Sequence, residues 1–192
     1  MIAIIDYGAG NVKSVKFALD RIGIESILTN NSEVITNADK VIFPGVGEAS
    51  YAMKELKKYG LDKLIPKLKQ PVLGICLGMQ LMCEYTEEGN TDCMGIFPVK
   101  VKKFNTELKI PQVGWNNIFD LKSEIFNKIE ENSYTYFVHS YYVPNNEYCI
   151  AKTYYDSNFA SAIRKDNFYA TQFHPEKSGD IGEQILLNFT KI

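Results

Sequence analysis

The stretch Val72-Leu73-Gly74-Ile75-Cys76-Leu77-Gly78-Met79, in the first half of the chain, indicates a junction between a strand and a helix. The apolar run over residues 71–75 predicts a buried strand, and a helical pattern begins at Met79. Between them, a cysteine stands two residues from a glycine on either side. The glycines remove Cβ atoms from a sharp turn, which leaves the middle side chain exposed and its backbone strained. The junction therefore predicts a nucleophile elbow between a strand and a helix.

Strands and helices also alternate before this junction. Predicted strands cover residues 2–6, 25–29 and 40–43, a turn covers 7–10, and predicted helices cover 12–22, 48–58 and 61–69. This order predicts a mostly parallel sheet with helices on both faces and right-handed crossovers. Ligands bind such sheets beyond the carboxyl ends of the strands. Asp6, residues 44–47 and Cys76 should therefore share one rim.

The second half of the chain is rich in aromatic and β-branched residues. Predicted strands cover residues 97–104, 134–143, 148–155 and 160–173, with a hairpin turn at 165–167, and a closing helix covers 179–189. The predicted fold class is α/β: a mostly parallel central sheet flanked by helices, with an additional antiparallel or mixed β region. No repeat or long linker divides the chain, so residues 1–192 are expected to form one domain.

Composition excludes several classes of function. The net charge is -2 and no basic stripe is visible, so nucleic-acid binding is not expected. A membrane span needs about 20 consecutive apolar residues, and the sequence has no such run. The N-terminal residues 1–6 are too short a run, and too acidic at their end, for a signal peptide, so we expect a reducing cytoplasm. The four cysteines match no zinc spacing, and we expect neither a metal nor a cofactor.

Cys76 is the candidate nucleophile. Its thiol would lie at a helix N-terminus, where the helix dipole favours the thiolate, and the next backbone N–H, from Leu77, would point toward a developing oxyanion. The alternative is a buried core cysteine, which the glycine-flanked elbow disfavours. Cys83 falls in a helix-like stretch and is expected in the core. Cys93 and Cys149 have no local chemistry.

A thiolate nucleophile needs a base and a group that orients the base. His174 and Glu176 lie two residues apart, so in an extended segment they point to the same side. A surface histidine beside a structural proline is the alternative. His139, the competing base, has no carboxylate near it in sequence and is expected to be a partly buried histidine with its hydrogen bonds satisfied.

Seven segments together resemble a known family. They are residues 6–11 (Asp-Tyr-Gly-Ala-Gly-Asn), 44–47 (Pro-Gly-Val-Gly), 74–80 (Gly-Ile-Cys-Leu-Gly-Met-Gln), 87–89 (Glu-Glu-Gly), 114–116 (Gly-Trp-Asn), 137–141 (Phe-Val-His-Ser-Tyr) and 172–178 (Gln-Phe-His-Pro-Glu-Lys-Ser). The elbow and the His-Pro-Glu motif resemble the class I, triad-type glutamine amidotransferases. The first, second and fifth segments are similar to the narrower family of glutaminase subunits of imidazole glycerol phosphate synthases.

The resemblance implies a triad of Cys76, His174 and Glu176 that hydrolyses L-glutamine through a thioester. It places the oxyanion donors at the backbone of Leu77 and, in the turn at 44–47, of Val46. The residues that it implies for holding glutamine are Gly47, Gln80, Glu88, Ser140 and Tyr141. For Gln80 and Glu88, a solvated helix face is the alternative.

The resemblance also implies a partner. It is a (β/α)8-barrel cyclase that forms a heterodimer with the glutaminase, receives ammonia through a channel, and makes imidazole glycerol phosphate and aminoimidazole carboxamide ribotide. Trp115 and Asn116 match a segment near this partner, although a lone tryptophan is more often a core residue. Gln112 stands where the family is expected to have a histidine, away from the triad and toward the partner.

Because of Gln112, a synthase that modifies a bacterial surface sugar stays open as the ammonia acceptor. A peptidase-like or γ-glutamyl hydrolase relative and a non-catalytic glutamine-binding module are further alternatives. The Gly-Met-Gln continuation after Cys76 and the Gly-Trp-Asn segment argue against the hydrolase. The intact Cys–His–Glu set argues against the module.

Overall fold

The computed structural model describes residues 1–8 and 11–192, so the turn predicted at 7–10 lies partly outside the described residues. The first half contains β1 Ile2–Ile5, α1 Val12–Arg21, β2 Ser26–Thr29, α2 Ser32–Asn37, β3 Lys40–Gly45, α3 Ala49–Lys58, α4 Leu61–Leu64, β4 Val72–Cys76 and α5 Leu77–Met82. The second half contains β5 Cys83–Thr86, β6 Thr91–Asp92, β7 Phe97–Lys103, β8 Gln112–Ile118, β9 Ser133–His139, β10 Tyr141–Pro144, β11 Cys149–Tyr155, β12 Ser157–Lys165, β13 Phe168–Thr171 and α6 Gly179–Phe189.

A large mixed sheet organises the molecule. Its parallel part has the strand order β2-β1-β3-β4-β13. From β13 the sheet continues through antiparallel partners β12, β10 and β7 to β5 and β6, and β11 pairs with β12. The strands β8 and β9 form a separate antiparallel ribbon. The predicted fold class is thus confirmed, and most of the second β region extends the central sheet.

Alternate residues of the parallel strands enter two cores, one on each face of the sheet. In β1, Ala3 and Ile5 pack on the face covered by α3 and α5, whereas Ile2 and Ile4 pack on the face covered by α1 and α6. Burial on both faces explains why these strands read as continuous apolar runs. In the described part of the chain, no helix is long and apolar enough to cross a membrane.

Several boundaries differ from the prediction. The helix after the elbow ends at Met82, and Cys83 begins β5 because it pairs with Phe97 of β7. Cys83 is nevertheless fully buried, so its predicted place in the core is confirmed. The strand predicted over 134–143 is interrupted at Ser140, since β9 pairs with β8 while β10 pairs with β7 and β12.

Two helical segments also differ. The helix predicted over 61–69 is an α-helix only to Leu64, and a 3-10 turn follows over Ile65–Lys67. The prediction missed α2. Asn31 caps this helix, because its side-chain oxygen accepts from the backbone N–H groups of Glu33 and Val34.

Candidate active site

The backbone of the elbow is built as the sequence predicts, but the Cys76 side chain was predicted to be exposed and is only 7% exposed. Cys76 ends β4 and precedes α5, with φ 54° and ψ -108°, a conformation that is strained for any residue but glycine. A Cβ on Gly78 would lie 2.0 Å from the carbonyl oxygen of Phe43, so only glycine lets α5 approach β3 this closely. The thiol therefore stands at the carboxyl edge of the sheet on a fixed backbone.

His174 and Glu176 follow β13, and both are buried. The Nδ1 atom of His174 lies 2.7 Å from Oε1 of Glu176. Burial disfavours a charged imidazole, but the Cys76 thiolate and the Glu176 carboxylate outweigh that effect and raise the pKa of His174 to about 10. The other nitrogen, Nε2, is buried on the side of Cys76 and has no hydrogen-bond partner among the described residues. The three side chains thus form a Cys–His–Glu series.

A cavity of about 250 Å³ opens in front of this series. Its lining includes Cys76 and His174 together with every residue predicted to contact the ligand or the oxyanion: Val46, Gly47, Leu77, Gln80, Glu88, Ser140 and Tyr141. Glu176 lies behind His174, outside the lining. One pocket therefore brings together residues from distant parts of the chain.

The parallel register places side by side the two segments that are predicted to donate backbone hydrogen bonds to the oxyanion. The pairing of β3 with β4 ends at Gly45 opposite Cys76, so Val46 and Leu77 follow at neighbouring strand ends. Asp6 follows β1, which pairs with the other side of β3. The rim that was predicted from the strand ends is therefore present.

Gln80 and Glu88 face the cavity from different elements. Gln80 is only 4% exposed, and its Nε2 donates to the Tyr141 carbonyl and to Oε1 of Gln172, each at 2.9 Å. The solvated-face alternative for Gln80 is therefore wrong. Glu88 is half-buried and accepts a hydrogen bond from Ala49 N at 3.0 Å. Burial raises the pKa of Glu88. The hydrogen bond from the Ala49 N–H opposes this effect, and the nearby Glu48 carboxylate adds to it.

His139 is buried and bonded at both ring nitrogens, as the sequence predicts for a satisfied histidine. Its Nδ1 lies 2.8 Å from the Tyr141 carbonyl, and its Nε2 lies 3.0 Å from the Gln112 side-chain amide. Gln112 is 4% exposed. Gln112 was expected away from the triad and toward the partner, and it contacts His139, a histidine of the cavity wall outside the triad.

Trp115 and Asn116 lie outside the cavity, on the ribbon strand β8. Trp115 is 55% exposed, so the alternative of a core tryptophan is wrong. The Asn116 side chain donates to the Tyr154 carbonyl at 3.0 Å. Because Gln112 begins the same strand and pairs with His139, the ribbon connects the exposed Trp115 with the cavity wall.

Three further residues at the site were not predicted: Pro111 and Val138 line the cavity, and Gln172 contacts Cys76. Gln172 could have been found, since it precedes the His-Pro-Glu motif directly and would follow a strand that ends beside the elbow. Val138 lies in the segment 137–141 that carries the family resemblance, whereas nothing in the sequence marks Pro111.

The fold and the site define a class of protein, and comparison with known sequences agrees with it. The family model for glutamine amidotransferase class-I matches residues 3–192. The chain belongs to the class-I glutamine amidotransferase family.

Individual relatives are more specific. The chain is 55% identical to imidazole glycerol phosphate synthase subunit HisH of Bacteroides fragilis (strain YCH46), over 100% of this chain and 99% of the relative. It is 48% identical to the subunit of the same name from Haemophilus influenzae (strain KW20), covering 99% and 96%. Among solved structures, a glutamine amidotransferase matches with a TM-score of 0.78 at 17% identity over 100% and 98% of the chains. PurLQS from Thermotoga maritima matches with a TM-score of 0.75 at 16% identity over 99% and 97%. At these identities the structures support the fold alone.

Proposed function

We propose that this chain is the glutaminase subunit of an imidazole glycerol phosphate synthase, with residues 1–192 acting as one domain. It hydrolyses L-glutamine to L-glutamate and ammonia. The observation that carries the proposal is the Cys76–His174–Glu176 series at the wall of a small cavity. A cavity of this size suits a small molecule, which disfavours the peptidase-like alternative.

In the first half of the reaction, the Cys76 thiolate attacks the side-chain amide carbon of glutamine. The C–N bond then breaks, and His174 gives its proton to the departing nitrogen. The raised pKa of His174 keeps the ring protonated at neutral pH, so the proton is available. Glu176 holds the ring through Nδ1, which leaves Nε2 directed toward the reacting atoms.

In the second half, His174 takes a proton from water, and the resulting hydroxide attacks the thioester. Glutamate leaves and the thiolate is restored. A tetrahedral oxyanion forms in each half, and the backbone N–H groups of Leu77 and Val46 are the donors that we assign to it.

Glutamine binding is assigned to the rest of the cavity wall. Both Nε2 hydrogens of Gln80 are engaged, so its Oε1 atom is left to accept from the α-ammonium group. Glu88 supplies a carboxylate, which pairs with the same ammonium. Gly47, Ser140 and Tyr141 complete the site.

The ammonia acceptor that we assign is a (β/α)8-barrel cyclase in a heterodimer, docked on the ribbon around Trp115 and Asn116. It receives ammonia through a channel and forms imidazole glycerol phosphate and aminoimidazole carboxamide ribotide for histidine biosynthesis. The 55% and 48% identical relatives support this pathway, whereas no observation favours a sugar-modifying synthase. All four cysteines are free thiols, and Cys76 must stay reduced to react, so we place the chain in the cytoplasm.

The test is to isolate the partner by affinity capture and to assay glutamine hydrolysis with and without the partner and its nucleotide substrate. We expect a low rate for the chain alone, a strong increase in the complex, and no hydrolysis by Cys76→Ser in either state. A high rate without any partner, or capture of a sugar-modifying synthase that stimulates hydrolysis, would contradict the assignment.

A further inference from the structure

We infer that Gln172 is a positioning residue for the nucleophile: its buried side-chain amide donates a hydrogen bond to the sulfur of Cys76, and a chain of polar groups fixes it in that direction. The inference rests on the proposed function, because it concerns the thiol assigned to glutamine hydrolysis. Gln172 itself is fully buried and does not line the cavity.

Strand register brings the two residues together. Thr171 of β13 pairs with Ile75 of β4, so Gln172 and Cys76 follow as neighbours at the carboxyl edge. The Nε2 atom of Gln172 lies 3.6 Å from Cys76 Sγ, within the range for a hydrogen bond to sulfur. On another side, Sγ lies 3.8 Å from the Val138 carbonyl, which can only accept.

These two contacts respond to the charge on sulfur in opposite ways. A neutral thiol can donate to the Val138 carbonyl. A thiolate has no proton to donate and is repelled by that carbonyl, whereas it accepts from Gln172 more strongly than a thiol does. The Gln172 amide therefore favours the reactive form of Cys76.

The orientation of the Gln172 amide follows from a backbone carbonyl. The Tyr141 carbonyl is only an acceptor, so the Gln80 amide turns its NH2 group toward it, at 2.9 Å. The second hydrogen of that NH2 group goes to Gln172 Oε1, also at 2.9 Å. With its oxygen engaged, Gln172 can present only its own NH2 group to the sulfur.

The test compares Gln172→Met and Gln172→Glu with wild type in the full chain. Methionine keeps the length of the side chain and removes both the donor to the sulfur and the acceptor for Gln80. Glutamate keeps that acceptor and brings a negative charge to the sulfur. Thr171→Val is the matched control: its hydroxyl is equally buried on the same segment and bonds only to the Phe173 carbonyl. The readout is the alkylation rate of Cys76 by iodoacetamide as a function of pH, followed by peptide mass spectrometry.

We expect the midpoint pH of alkylation to rise by about one unit in Gln172→Met, because the variant loses a hydrogen-bond donor that favours the thiolate over the thiol. Gln172→Glu should shift it further, and Thr171→Val should not shift it. In the assembled complex, kcat for glutamine should fall in Gln172→Glu while KM stays near the wild-type value, since the glutamate still accepts from the Gln80 amide and does not line the cavity.

An unchanged midpoint in folded Gln172 variants would overturn the inference and leave the proposed function standing. Hydrolysis by Cys76→Ser would instead overturn the proposed function. If neither Gln172 variant folds, NMR of the wild-type side-chain amides decides: the Gln172 NH2 resonances should move when Cys76 is alkylated, and fixed resonances would refute the contact.

Discussion

At the scale of single residues, Cys76 carries backbone strain that its function requires. Its φ of 54° favours glycine, and such strain costs about 1–3 kcal/mol. We expect Cys76→Gly to be more stable than Cys76→Ala by about 1 kcal/mol, the reverse of the usual order of these residues. Urea unfolding of the two variants checks this. Equal stability, or a more stable alanine variant, would show that the elbow is relaxed.

In the proposed mechanism, Glu176 acts on the reaction through His174. Glu176→Gln replaces the carboxylate with an amide, which can hold the ring in the wrong tautomer. We expect kcat in the complex to fall by about 10²- to 10⁴-fold in a variant that remains folded. Asp180→Asn, an exposed acid at the start of α6, is the control and should keep full activity. A Glu176→Gln variant as fast as this control would refute the role of Glu176.

His139 makes stability depend on pH. Burial lowers the pKa of His139 from 6.5 to about 4. The hydrogen bond to the Tyr141 carbonyl opposes this effect, and the charge of His174 adds to it. The unfolded chain therefore takes up this proton first, so the contribution of His139 to stability is complete above pH 6.5 and is lost as the pH falls toward 4. Between about pH 7.5 and pH 5.0, the loss from this residue should be about 2 kcal/mol.

The comparison with His139→Asn isolates this contribution from other titrating groups. Urea unfolding of both proteins at the two pH values should show wild type losing about 2 kcal/mol more than the variant. Equal losses would mean that His139 is protonated in the folded state, in which case its Nε2 would donate to the Gln112 oxygen. In the neutral ring, Nε2 is an acceptor and the NH2 group of Gln112 must face it.

At the scale of elements, the approach of α5 to β3 depends on Gly78. A Cβ there would lie 2.0 Å from the Phe43 carbonyl oxygen, and backbone cannot move aside as a flexible side chain does. We expect Gly78→Ala to destabilise the chain by about 3 kcal/mol and to abolish rapid alkylation of Cys76. Urea unfolding and alkylation kinetics measure both effects. A loss below about 0.5 kcal/mol, in the range of ordinary surface changes, would contradict the packing argument.

The elements that were predicted well are those whose cause is local. The parallel strands read as apolar runs because both faces are buried, and the helices α1 and α6 show an apolar periodicity. The misplaced boundaries depend on distant partners. The pairing of Cys83 with Phe97 ends the helix at Met82, and the divergence of β9 from β10 at Ser140 reflects two different partner strands. No local pattern encodes either pairing.

At the scale of the whole molecule, much of the site could be predicted because its segments are strand ends of one parallel sheet. The elbow, the His–Glu pair and the 44–47 turn come together through the order β3-β4-β13. The place of Gln172 beside the elbow could have been inferred from the His-Pro-Glu motif, but its hydrogen bond to Cys76 and the contact of Gln112 with His139 could not be read from the sequence. Both depend on side chains that meet across elements far apart in the chain, where neither periodicity nor composition gives a signal.

The exposed ribbon leads to a prediction about assembly. Trp115 is 55% exposed on β8, and buried tryptophans dominate many interfaces. We expect Trp115→Ala to weaken binding to the proposed cyclase partner by at least about 2 kcal/mol. Tyr59→Ala, an aromatic residue 40% exposed at the end of α3, is the control and should bind normally. Titration calorimetry measures both, and equal affinities would remove Trp115 from the interface.

The proposed function requires that glutamine is hydrolysed through a thioester on Cys76. To detect this thioester, the complex is mixed with radiolabelled glutamine and quenched in acid during turnover, and the label is mapped by peptide mass spectrometry. We expect a glutamyl group on the peptide that contains Cys76, accumulation of that group when Glu176→Gln slows its hydrolysis, and none in Cys76→Ser. Glutamate formation without label at Cys76, together with wild-type turnover by Cys76→Ser, would refute the thioester.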